Sequence, residues 1–238
     1  FDLIRLDGRY IAEQHQVINL MSLSRTESFT AMANTSDIDL FFLAGDPELQ
    51  RDVFSYEQKR SAEISAVTDL FVGPALHIVQ GPALKRDEFD DERFTAADFI
   101  HLSIPGLINL ENGQSDVMTL SRSGDFGDTT LVPNDLPEAL NATLAVLSLT
   151  RFEGHGATGF SNYHGFVSDL LDSGVNSVIA SLWPLDDASR TRFISLFYQA
   201  LAIEHDVAVV LYQTKRSFLE QQLSPNPAIW AGFQLYLQ

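Results

Sequence analysis

The sequence predicts an α/β fold: a mostly parallel sheet covered by helices on both faces, with a β-hairpin at the N-terminus. Two observations carry this expectation. Short runs rich in Val, Ile, Leu and Phe alternate with longer amphipathic segments, the rhythm of strands joined by helical crossovers. The opening segment instead reads as two short extended runs flanking Asp7-Gly8, a dipeptide suited to a two-residue hairpin turn.

Taken in order, the hairpin runs from Phe1 to Leu6 and from Arg9 to Glu13. Ile38 to Ala44 is a buried strand that stops at the turn signal Gly45-Asp46-Pro47. Ser61 to Phe71 is an amphipathic helix, with Ile64, Val67, Leu70 and Phe71 on one face. Ala75 to Val79 is a short strand, and Asp87 to Arg93 a strongly acidic surface helix or loop. Ala97 to Ser103 is the third strand of the sheet, ended by Pro105-Gly106. Glu111 to Pro133, rich in Gly, Ser and Asp, reads as a long excursion at the carboxyl end of the sheet, where active sites of such folds lie. Thr143 to Leu149 is the fourth strand, Tyr163 to Asp172 a helix ended by Ser173-Gly174, and Ser177 to Trp183 the fifth strand. Ala188 to Ala202 and Val207 to Gln222 are helices, and Ala231 to Leu237 closes the chain as a strand. No repeat or linker interrupts the 238 residues, so one domain spanning 1–238 is expected.

Composition excludes several functions. Thirty-two acidic against 15 basic side chains give a formal net charge of −17, unsuited to duplex nucleic acid or an anionic membrane. No apolar run approaches the roughly 20 residues of a spanning helix, and no secretory signal is visible, so a cytoplasmic location is expected. Phe1 opens the chain without a Met, which reads as a piece of something longer. Cysteine is absent, which removes disulfides, Cys-ligated metals and thiolate catalysis together. The acidic run Asp87 to Glu92 lacks the spacing and central glycine of a calcium loop and reads as a solvated face. No phosphate-binding loop, dinucleotide fingerprint or serine-hydrolase elbow occurs, and no cofactor is implied.

Several segments nevertheless carry a pattern. They are Leu43-Ala-Gly-Asp-Pro-Glu48, Ala97-Asp-Phe-Ile-His-Leu-Ser-Ile-Pro-Gly106, Leu144-Ala-Val-Leu-Ser-Leu-Thr150, Asp172-Ser-Gly-Val-Asn-Ser-Val-Ile-Ala-Ser-Leu-Trp-Pro-Leu-Asp-Asp187 and Pro227-Ala-Ile-Trp-Ala-Gly-Phe-Gln234. In this order they resemble the CHAT domain, a caspase-like, separase-related (clan CD) module usually found behind TPR repeats in bacterial proteins. The resemblance spans nearly the whole chain and implies a caspase-like three-layer α/β/α architecture, with an upstream TPR region in the same chain as an expected partner.

Active members of that family are cysteine peptidases with a His–Cys dyad, in which an imidazole generates the thiolate and later protonates the leaving amine. The family's histidine motif reads here His101-Leu-Ser-Ile-Pro-Gly106, so Pro105 stands at the catalytic His position, while His101 and Gly106 are kept. The nucleophile motif reads Leu147-Ser-Leu-Thr-Arg-Phe-Glu-Gly154, so Thr150 stands at the Cys position. Proline offers no proton acceptor, and an internal threonine without an adjacent base is unreactive. The acid that recognises basic side chains in the family aligns with Ser161.

These substitutions imply a pseudo-protease that binds a protein or peptide. Two alternatives accompany it: a hydrolase rebuilt around His155 with Thr150 or Ser148 as nucleophile, and a structural cap on a TPR array. His101 is expected to be a partly buried structural histidine beside the cleft, and His77 to play the same structural part in the second strand. His155 and Ser161 are further cleft candidates. Asp186-Asp187 is expected to cap the helix that follows.

Overall fold

A computed structural model describes residues 3–21, 38–45, 63–69, 71, 75–81, 84–103, 106–107, 117–120, 130–148, 164–183, 185–220 and 226–238. The N-terminal hairpin pairs β1 (Arg5–Leu6) with β2 (Arg9–Tyr10), in the register Arg5↔Tyr10 and Leu6↔Arg9. Asp7 and Gly8 both take positive φ (50° and 82°), the twist that a two-residue hairpin turn requires. The hairpin is shorter than the sequence predicts, because Ile11–Glu13 coils into a single 3-10 turn whose Glu13 carboxylate accepts from the Tyr10 N–H.

Seven strands form the central sheet. They are β3 (Ile18–Leu20), β4 (Leu40–Gly45), β5 (Ala75–Gln80), β6 (Phe99–Ser103), β10 (Leu144–Leu147), β11 (Ser177–Ser181) and β12 (Phe233–Leu237). Their spatial order is β3-β12-β11-β10-β6-β4-β5. All neighbours are parallel except β11 and β12, so the sheet is mostly parallel as expected.

Strand β3 has no counterpart among the sequence-based expectations. It is only three residues long and becomes a strand by pairing with β12, more than 200 positions away. The Glu111–Pro133 excursion also holds more order than expected. Among its described residues, β8 (Val117–Thr119) and β9 (Thr130–Leu131) join β7 (Gly106–Leu107) in a small antiparallel sheet, and Met118, Leu120 and Leu131 are buried.

Strand alternation sends successive side chains to opposite faces, and helices cover both. One core gathers Phe42, Ile100, Leu102, Ala145, Leu147, Val178 and Ala180 from the strands with Phe166, Leu170 and Leu171 of α3 (His164–Asp172). The acidic segment anchors to this core through Phe89, in a 3-10 turn over Arg86–Phe89, and Phe94, in α2 (Glu92–Thr95). The opposite core gathers Phe99, Leu144, Val146, Ile179, Phe233 and Leu235 with three helices: Val67 of α1 (residues 63–68), Phe193 and Phe197 of α4 (Asp187–Leu201), and Val210 and Phe218 of α5 (Val207–Glu220).

Local signals set the helix ends. Helix α3 stops at Gly174 (φ 108°), where Gly174 N–H donates to Leu171 and Val175 N–H to Leu170, the paired bonds of a Schellman cap. The Asp186 side chain accepts from Ser189 N–H at 3.0 Å and caps α4. Just before that helix, the Trp183 indole donates to the Ala228 carbonyl at 2.7 Å, tying the end of β11 to α6 (Pro227–Trp230). Among the described residues no helix is long and apolar enough to cross a membrane.

Candidate functional site

The carboxyl ends of the two central strands carry the segments expected to hold the catalytic positions. Period-two alternation puts Phe99, His101 and Ser103 of β6 on the face covered by α1 and α4, and Leu144 and Val146 of β10, with Ser148 just past its end, on that same face. Two helical charges meet them there. Glu63 lies one turn before Val67 in α1, and Arg190 lies three and four residues before Phe193 and Ile194 in α4. Glu63, His101, Ser103, Ser148 and Arg190 are all buried, each at most 2% exposed.

The Glu63 carboxylate is the hub. Oε1 accepts from Ser148 Oγ at 2.6 Å and faces His101 Nε2 at 3.1 Å; Oε2 accepts from Arg190 Nη1 at 2.5 Å and from Ser103 Oγ at 3.2 Å. Arg190 Nη1 also donates to Ser148 Oγ at 2.9 Å and lies 3.2 Å from Ser103 Oγ. The other imidazole nitrogen of His101, Nδ1, lies 2.9 Å from the Tyr198 hydroxyl. An imidazole protonated on Nε2 alone satisfies both contacts: it donates to Glu63 and accepts from Tyr198. Two helices and two strands are thus joined through one carboxylate.

Burial alone would push the Glu63 carboxyl up. The Arg190 guanidinium and the hydrogen bonds from His101 and Ser148 outweigh it and hold the carboxyl well below its ordinary value of 4.5. Burial first, and the Glu63 charge second, push the Tyr198 phenol well above 10.0. These directions fix the chemistry. Ser148 points its proton at a carboxylate that resists protonation, so Glu63 does not serve it as a base, and the hydroxyl is 0% exposed. Ser148 is therefore a member of a structural network and is not placed to attack a substrate.

His101, expected beside the cleft, is likewise 0% exposed and supports the strand ends from beneath. Gly106 is the first residue of β7, paired with Met118. Pro105, Thr150, His155 and Ser161 lie outside the described residues. His77 stands in β5 against Phe42, at 5.3 Å between ring centroids, with Arg93 Nη1 3.2 Å from its Nδ1. Among the described residues no group of three or more His, Asp or Glu is placed to hold a metal ion.

Glu63, Arg190 and Tyr198 are functional candidates that the sequence reading missed. Their signal was present: Glu63 falls in line with Val67 and Phe71, and Arg190 with Phe193, Ile194 and Phe197, so each helix carries one charge on its apolar stripe. Opposite charges on two such stripes can be buried only against each other.

The family model of the CHAT domain matches residues 2–238. The chain belongs to the CHAT family. No curated protein sequence matches this CHAT domain. Its fold is similar to that of solved caspase-like cysteine proteinases. Against the complex of the Porphyromonas gingivalis RgpB pro- and mature domains, the TM-score is 0.50 at 11% identity, over 87% of this chain and 49% of the other. Against the Arg-specific cysteine proteinase gingipain R the TM-score is 0.48 at 8% identity, over 87% and 48%. Against the Drosophila initiator caspase Dronc it is 0.43 at 9% identity, over 84% and 82%. The chain thus spans about half the length of the two gingipain chains. At these identities the likeness concerns the fold alone.

Proposed function

We propose that this CHAT domain is a pseudo-protease that holds an extended peptide or protein segment at the carboxyl end of its sheet without cleaving it. The observation that carries the reading is chemical: 238 residues contain no cysteine, so the thiolate step of the family's peptidases has no nucleophile. Pro105 and Thr150 at the two dyad positions support it, since neither supplies a base or an activated thiol. The Glu63 network supports it from the structural side. It fixes the ends of β6 and β10 with two helices, which keeps a binding platform rigid whether or not chemistry occurs there.

The Ser148 version of a rebuilt hydrolase finds no support, since that hydroxyl is buried and committed to Glu63. The test has two arms. A fluorophosphonate probe, which captures activated serine and threonine hydroxyls, should label neither the wild-type protein nor its His155→Ala variant. An immobilised library of extended peptides should yield binders at micromolar concentration that a bulky Thr150→Trp substitution displaces. Labelling that vanishes in His155→Ala, or a library with no Thr150-sensitive binder, would sink the proposal.

A further inference from the structure

Strand β5 is the outermost described strand on its side of the sheet, paired with β4 alone. Edge strands are usually blunted by shortness, a bulge, a proline or a charged residue. The opposite edge follows that rule: β3 has three residues, and its Asn19 side chain is tied to Gln234 and to the Leu235 carbonyl. Strand β5 does not. Ala75-Leu-His-Ile-Val-Gln80 contains no proline, lysine or acidic residue, and all six residues run in unbroken register with Leu40–Gly45. Ala75 N–H donates inward to Asp39, at 2.8 Å. Alternation then turns the backbone N–H and C=O of Leu76, Ile78 and Gln80 outward. The side chains of Leu76 and Ile78 stand exposed at 37% and 39%.

Charge distinguishes the two faces of this edge. His77 projects to the face opposite Leu76 and Ile78, where the segment after β5 brings Glu88 Oε2 within 3.6 Å of its Nε2. On that side Asp91 is paired with Arg93 and Asp135 with Arg86, whereas Asp87, Asp90 and Glu92 enter no ion pair among the described residues. One side of the edge is apolar; the other carries Arg93, 3.2 Å from His77 Nδ1 and paired with Asp91, within a segment 85–93 of five acidic and three basic side chains.

We infer that the β5 edge is a second docking site, distinct from the strand-end cleft, which takes an extended basic segment of a partner as an eighth strand. Main-chain bonds to Leu76, Ile78 and Gln80 supply the pairing, and side-chain alternation supplies the selection: apolar residues at every second position lie over Leu76 and Ile78, and basic residues between them face Asp87, Glu88 and Asp90. A second copy of this chain is the wrong occupant, because it would bring two acidic segments together on molecules that each carry a net charge of −17.

The probe is the synthetic peptide acetyl-Lys-Val-Lys-Val-Lys-Val-Lys-amide with a fluorescent tag, read by polarisation against the whole chain. Saturable binding is expected, and about tenfold weaker binding to Ile78→Lys and to Leu76→Lys, which place a like charge on the apolar side. The triple variant Asp87→Asn/Glu88→Gln/Asp90→Asn should bind weakly and lose most of the salt dependence. Methylation of alternate peptide nitrogens should abolish binding without any change in the protein, which covers the case of an edge variant that fails to fold. Equal binding of a same-composition peptide with its valines in one block, or of the methylated peptide, would overturn the site, as would no binding at all. Sedimentation showing a wild-type dimer that Ile78→Lys dissociates would overturn the heterologous occupant in favour of a second copy.

Discussion

Arg190 Nη1 lies 2.5 Å from Glu63 Oε2, and both side chains are 1% exposed, so helices α1 and α4 share a fully desolvated ion pair above the sheet. Desolvating two charges costs several kcal/mol each, and this pair offsets the cost with hydrogen bonds from Ser103 and Ser148 and the contact to His101. Losing one partner is therefore expected to be far worse than losing both. Glu63→Leu and Arg190→Met should each destabilise the domain by about 3–5 kcal/mol, and the double Glu63→Leu/Arg190→Met variant by much less than the sum. Urea unfolding of the four proteins measures the coupling. Additive losses would show that the pair is not a unit.

The same pair sets an acid limb. The folded-state pKa of Glu63 is depressed below its ordinary 4.5, so the unfolded chain takes up the proton first as pH falls. The contribution is complete above 4.5 and is lost progressively below it, toward the folded value. Stability against pH from neutrality to about pH 3 should therefore fall more steeply in the wild type than in Glu63→Gln. Parallel curves would contradict the assignment.

Tyr198 is the outer member of the network and donates to a buried imidazole nitrogen. Tyr198→Phe leaves that nitrogen without its donor, and a loss of about 1–3 kcal/mol is expected. His101→Phe in the Tyr198→Phe background should add less than it does alone, since the two share one bond. Thermal or urea unfolding of the cycle checks this.

Two glycines are fixed by their surroundings. At Gly174 the backbone is left-handed, and an added Cβ would stand 3.0 Å from the Leu140 carbonyl. At Gly232 it would meet the Ala228 carbonyl at 3.1 Å and the Trp183 indole nitrogen at 3.2 Å, crowding the bond that links β11 to α6. Gly174→Ala should cost about 1–3 kcal/mol through backbone strain. Gly232→Ala should cost about as much through overpacking, and it should blue-shift and broaden Trp183 fluorescence, which Gly174→Ala leaves alone.

The Asp186 carboxylate should be worth about 1 kcal/mol as the α4 cap, with Asp186→Asn nearly neutral and Asp186→Ala bearing the full loss. Burial raises its pKa, and hydrogen bonds from the Ser189 side chain and backbone outweigh that and lower it. The cap thus persists into mild acid.

The sequence by itself determined the features whose causes lie within a few residues. Asp7-Gly8 dictates a hairpin because both positions need positive φ; Gly174 ends α3 because only glycine sits easily at φ 108°; Asp186 starts α4 because its carboxylate reaches the free amides of the first turn. The short, mostly apolar and β-branched runs of β6, β10 and β11, bounded by turn signals, read as strands buried on both faces. The family motif around Trp183 and Trp230 was equally legible. The tertiary structure decided what depends on distant partners. Ile18–Leu20 is a strand only because β12 arrives beside it, and the residues after Gly106 form a small sheet only once Met118 and Leu131 are buried together. Glu63 and Arg190, 127 positions apart, each look like a misplaced charge on an apolar helix stripe until the fold brings them into contact. A buried charge is tolerable only with its partner in place, and no local pattern specifies that partner.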